Sequence, residues 1–101
     1  MNSIVELILE IKKKPSMYLA TKTISNLKSF LDGWAGRDYE TIGDLGIMMQ
    51  FQDWVEEKYN LKSTQSWNKI LLFYSYDEST ALQLFFEEFD TFLSSIHYRI
   101  E

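Results

Sequence analysis

Few residues in this 101-residue chain are of a type that does chemistry. His97 is its one imidazole and cysteine is absent. That excludes a disulfide scaffold, a thiolate metal site and a multi-histidine metal centre within one chain. Near the end of a helix, a lone imidazole such as His97 reads as a surface or terminal packing residue. No G-x-S-x-G elbow and no G-x-x-x-x-G-K-S/T phosphate loop occurs. Carboxylates are the remaining option. Asp53 with Glu56 or Glu57 shares a helical face at a spacing of three or four, whereas Glu87, Glu88 and Asp90 diverge around a later helix. Carboxylate bundles that bind metal add E-x-x-H motifs, and none is present, so both groups read as solvated polar faces. Trp54 lies between Asp53 and Glu56. An aromatic anchor ringed by carboxylates has the composition of a site for a basic protein partner, and Glu57, Asp77 and Glu78 are expected to extend that face. No catalytic residue, metal ligand or cofactor is expected.

These residues need a scaffold, and the periodicity of the apolar residues supplies one. Ser3 and Glu6 have capping-box spacing. Ile4, Leu7, Ile8 and Ile11 then recur at helical intervals, with Lys12 to Lys14 opposing the negative end of the dipole. Pro15 ends this helix at about Lys13. Residues 15–22 read as irregular, with Met17, Tyr18 and Leu19 folding back onto the body. Thr23 caps a second helix carrying Ile24, Leu27, Phe30, Leu31 and Trp34, with Gly36 as its terminator. Asp44 is placed to cap a third, containing Leu45, Met48, Met49, Gln52, Val55 and Tyr59, with Ile47, Phe51, Trp54 and Lys58 as an adjoining stripe, and Asn60 suits its end. Residues 67–76 fit a helix through Trp67, Ile70, Leu71 and Tyr74, with Ser66 as cap. The run Ile70 to Tyr76 also has the form of a short strand. Helix is favoured because nothing comparable exists to pair with a strand, which would leave its backbone groups unsatisfied. Asp77 caps the longest helix, from Glu78 to about His97, with Ala81, Leu82, Phe85, Phe86, Phe89, Phe92, Leu93 and Ile96 on its inner stripe. The expected fold is all-α: one domain over residues 1–101, an antiparallel bundle of about five helices.

Composition agrees with one folded domain. The chain is 46% hydrophobic and 25% charged, with seven Phe, six Tyr and three Trp to fill a small core. A chain of this size buries roughly 60–65% of its unfolded surface, enough for one core. The net charge is −5, unevenly spread. Residues 1–31 hold five lysines against two acids, and residues 32–101 hold five bases against thirteen acids. Such an acidic balance repels phosphate and argues against nucleic acid as a partner. No uncharged apolar run nears the roughly 20 residues that span a bilayer. The stretch Ile4 to Ile11 is broken by Glu6 and Glu10 and has no cleavage site after it, so no signal peptide is read there. A cytoplasmic protein is expected.

The string Ile11-Lys-Lys-Lys-Pro-Ser-Met-Tyr-Leu-Ala20 resembles the R-K-R-P-G-M-Y-I-G stretch near the start of the ATPase domain of type II topoisomerases. The match covers about ten residues. The Gly-rich lid and the metal-bearing helix of that domain have no counterpart here, so ATP binding is not carried over. Across its whole length the chain resembles a group of small bacterial proteins with K/R-x-P-x-M-Y-L, then S-x-x-x-L-x-x-F-L-x-G-W/Y, then a Trp heading a helix and a Phe-rich end. The corresponding residues are Lys13 to Leu19; Ser25, Phe30, Leu31, Gly33 and Trp34; Trp67; and Ala81 through Phe92. These proteins resemble the immunity proteins encoded beside bacterial polymorphic toxins. The resemblance implies a non-enzymatic inhibitor whose partner is a cognate toxin domain. The alternative is a small ligand-binding regulator with an aromatic pocket built from Tyr18, Trp34 and Phe85. Self-association is a further expectation, from the second apolar stripe of the third helix.

Overall fold

A computed structural model describes residues 2–62 and 64–99, and among these the regular structure is helical throughout. The elements are α1 (Ile4–Lys13), α2 (Pro15–Tyr18), α3 (Ile24–Arg37), α4 (Gly46–Lys58), α5 (Trp67–Phe73) and α6 (Glu78–Ser95). The expected all-α class holds, with six helices in place of about five. The additional one is a single turn inside the stretch read as irregular. Pro15 stops α1 because it has no amide to donate, and its fixed φ then suits the first position of α2. Residues 67–73 are helical, which removes the strand alternative.

The core is organised around one side chain. Phe51 of α4 is fully buried, and its ring meets Phe85, Phe89 and Phe92 of α6 at 5.5, 5.3 and 5.4 Å and Trp67 of α5 at 5.7 Å. All four contacts are edge-on, the arrangement favoured by the aromatic quadrupole. α6 packs against α3, α4 and α5. α1 closes the core with Ile4, Val5, Leu7, Ile8 and Ile11, all buried, and an ion pair joins its Lys12 to Asp90 of α6. The radius of gyration is 13.0 Å, as expected of one compact body of about 100 residues. Most of both apolar stripes of α4 is used within the chain: Ile47, Phe51 and Val55 are buried, and Met48, Trp54 and Tyr59 pack against the core from its edge, while Met49 is exposed.

Helix starts combine local and distant caps. Ser3, Thr23 and Asp77 accept from Glu6, Asn26 and Thr80 amides, as their sequence positions predict. Asp44 departs from its expected role. α4 begins at Gly46 with Leu45 at the capping position. Asp44 points instead at the start of α1, accepting from the Ile4 amide at 2.8 Å, the Val5 amide at 3.3 Å and the Ser3 hydroxyl at 2.6 Å. The turn over residues 38–45 carries it there, held by buried Ile42 and by the Gly43 amide donating to the Asn2 carbonyl. Glu78 similarly accepts from the amide and hydroxyl of Ser25 at the start of α3. The first amide of α5, on Trp67, donates to the Gln52 side chain, while the Ser66 side chain makes no capping bond. Nor does Gly36 end α3. The helix continues to Arg37 because half-buried Trp34 and Ala35 keep their helical packing, and a glycine weakens a helix by only about 1 kcal/mol.

Candidate protein-binding surface

Two helix ends that share a backbone device dispose of the reactive residues. After α4, Asn60 takes a left-handed conformation (φ 54°), and the Asn60 and Leu61 amides donate back to the Glu57 and Glu56 carbonyls at 3.1 and 2.8 Å. After α6, His97 does the same (φ 55°), with the His97 and Tyr98 amides donating to Ser94 and Leu93. Both are Schellman terminations, which satisfy carbonyls left open at a helix end. His97 is exposed and turns the chain there. Among the described residues no three His, Cys, Asp or Glu side chains gather as a metal would require.

The turn at Asn60 places half-buried Leu61 between two depressions. One, of about 340 Å³, is lined by Asp53, Glu56, Glu57, Asn60, Leu61 and Lys62. The other, of about 380 Å³, is walled by Leu61, Ile70, Phe73 and Tyr74, with Gln65 and Lys69 also in its lining. Phe73 is 79% exposed and Tyr76 94%. A seven-residue helix has room to bury only one face. Trp67, Ile70 and Leu71 take that face in α5, leaving the aromatic residues of its last turn facing water. They are nonetheless held. The Tyr74 ring stacks on Tyr59 at 4.8 Å and meets Phe73 edge-on at 5.1 Å.

Tyr59 is anchored in turn by Glu88, the one charged residue buried among those described, at 5% exposure. Its carboxylate accepts from Lys58 Nζ at 2.6 Å and from the Tyr59 hydroxyl at 3.1 Å. Burial of the phenol, followed by the nearby Glu88 charge, pushes the Tyr59 pKa up to about 12. Lys58 also sits over the Trp54 ring, 5.2 Å from its centre. The chain Glu88–Tyr59–Tyr74–Phe73 thus runs from the protein interior to an exposed aromatic ring.

The residues picked from sequence are distributed as follows. Asp53, Glu56 and Glu57 come together in the acidic depression; Glu56 also accepts from Gln52 Nε2 at 2.7 Å. Trp54 is half-buried, stacked on Phe51 at 6.1 Å and tilted against Phe92 at 5.9 Å, so its ring belongs to the edge of the core. Asp77 and Glu78 are engaged at the starts of α6 and α3. Hydrogen bonds from Thr80, chiefly its amide, hold the Asp77 carboxyl below its ordinary pKa. None of the exposed aromatic residues Phe73, Tyr74 and Tyr76 stands out in the sequence as a binding residue, since Tyr74 fits the helical stripe of Trp67, Ile70 and Leu71. The aromatic pocket expected from Tyr18, Trp34 and Phe85 does not form. Phe85 is fully buried among Phe51, Trp67 and Phe89, and Tyr18 packs edge-on against Phe30 at 6.0 Å.

Other hollows exist. One of about 410 Å³ between α3 and α4 contains Leu31, Ala35, Met48 and exposed Met49, and one of about 560 Å³ contains Lys12, Lys13, Asp90 and Tyr98. No helix among the described residues is long and apolar enough to cross a membrane. Comparison with protein families, with curated proteins and with solved structures gives no match.

Proposed function

We propose that this protein is a non-enzymatic binding domain that neutralises a cognate protein toxin in the bacterial cytoplasm, using the end of the bundle formed by the last turns of α4 and α5. The observation that carries this reading is the exposed aromatic pair Phe73 and Tyr74, braced by Tyr59 and bordered by the Asp53–Glu56–Glu57 depression. Aromatic side chains already fixed in place lose little freedom on binding, and they dominate the energetics of many interfaces. The surrounding acids steer a cationic partner such as the substrate groove of a nuclease toward them. The resemblance of the sequence to immunity proteins supports the same reading.

Co-expression with the product of the neighbouring gene tests it. Relief of that product's toxicity, together with a stable complex whose association slows as salt is raised, is the expected result. Unrelieved toxicity with no complex refutes it. A substrate turned over by the purified chain would refute the non-enzymatic part.

A further inference from the structure

We propose that the depression walled by Leu61, Ile70, Phe73 and Tyr74 is the anchor socket for one large apolar side chain of a partner segment, and that an adjacent Arg or Lys of the same segment lies over Asp53 and Glu57. This rests on the proposed protein-binding role and specifies its chemistry.

Three observations converge on that occupant. The socket wall is apolar and aromatic, with Ile70 buried behind it and Phe73 projecting beside it, so an apolar group entering it loses water on several sides. Leu61 belongs to both depressions. A side chain seated against it therefore brings the next part of its own segment over the acids. The charges lining the second depression are Asp53, Glu56 and Glu57 against Lys62, while Lys58 is engaged by buried Glu88. The balance there is negative and selects a cation. Lys69 lies in the lining of the socket and not of the acidic depression, so a second basic residue on that side is repelled. The fitting segment is accordingly asymmetric: an apolar anchor with a cation on its Leu61 side and none over Lys69.

The test uses the full chain, labelled with nitrogen-15, and three synthetic peptides of equal length. One places a Phe next to an Arg. The second replaces the Arg by Glu, and the third replaces the Phe by Ser. The first peptide is expected to shift the amide signals of Leu61, Ile70, Phe73 and Tyr74 in a saturable way, and the other two to bind about tenfold more weakly or worse. Phe73→Ala, at a position open to solvent, is expected to weaken the first peptide about tenfold while leaving the thermal midpoint unchanged. Equal responses to the three peptides overturn the proposal. So do shifts centred on the Met48–Met49 hollow, or no shift at millimolar peptide. Peptide binding without toxin relief sinks the immunity role and leaves the socket standing. Relief that Phe73→Ala does not impair, with no peptide response, sinks the socket alone.

Discussion

Breaking the Lys58–Glu88 pair from its two ends is expected to give unequal costs. Glu88 is buried in the face of α6 that meets α4, whereas the Lys58 side chain is 42% exposed. In Lys58→Met the carboxylate stays in place, with the Tyr59 hydroxyl as its remaining partner among the bonds described. Stranding one charge of a fully buried pair costs about 3–5 kcal/mol; water reaching this half-open pair reduces that to about 2 kcal/mol. In Glu88→Leu the ammonium swings into solvent and the Tyr59 hydroxyl finds water, so a loss of about 0.5 kcal/mol is expected. The double variant should lie near the Glu88→Leu value, giving a coupling energy of about 2 kcal/mol. Urea unfolding followed by circular dichroism measures all four proteins. For a domain of this size Lys58→Met alone should lower the thermal midpoint by about 10 °C. If Glu88→Leu proves the more damaging change, or if the two losses simply add, the idea that an uncompensated carboxylate sets the cost is wrong.

Asp44→Ala removes the acceptor for two α1 amides and the Ser3 hydroxyl, and is expected to cost about 1–2 kcal/mol; a loss below about 0.3 kcal/mol would show that the α1 start does not depend on it. Phe51→Ala empties the centre of the aromatic core and should cost about 3–5 kcal/mol, while Phe73→Ser should leave urea stability within about 0.5 kcal/mol of the parent; comparable losses would contradict the burial of one and exposure of the other. For Tyr59, whose folded pKa of about 12 lies above the ordinary 10.0, the folded state holds the phenol proton more tightly than the unfolded state. Its stabilising contribution is complete below about pH 10 and is lost as pH rises through about 12, a change of about 1 kcal/mol after allowing for solvent screening of a partly open ring. The pH dependence of unfolding between 9 and 12 should therefore be shallower in Tyr59→Phe, and equal slopes would count against the buried phenol.

What could be read from the sequence was what lies within a helical turn. The α1 stripe, the stop at Pro15, the Thr23 and Asp77 caps and the termination at Asn60 each depend on residues no more than four or five apart. Asp44 looks like the cap of α4 because an Asp just ahead of an apolar stripe is locally a good cap for that stripe. Its real amides lie 40 and 39 positions away, and only the folded chain reveals them. Glu88 does carry a local signal: it falls at helical spacing between Phe85 and Phe92, on the inner face. Trp54 has acidic neighbours in the sequence and also shares a stripe with Phe51, and in the fold it stacks on Phe51 at the edge of the core. The exposure of Phe73 and Tyr74 follows from the shortness of α5, whose two ends could not be fixed while a strand remained an alternative for the same residues.

The borrowed caps bear on how the molecule comes into being. As the polypeptide leaves the ribosome, the start of α1 waits for Asp44, the start of α3 for Glu78, and the first amide of α5 reaches back to Gln52. Of these, only α3 gains its distant acceptor when the final helix begins to emerge. Proteolytic pieces cut within the chain should consequently lose helicity in concert, and two such pieces, mixed, should recover it together.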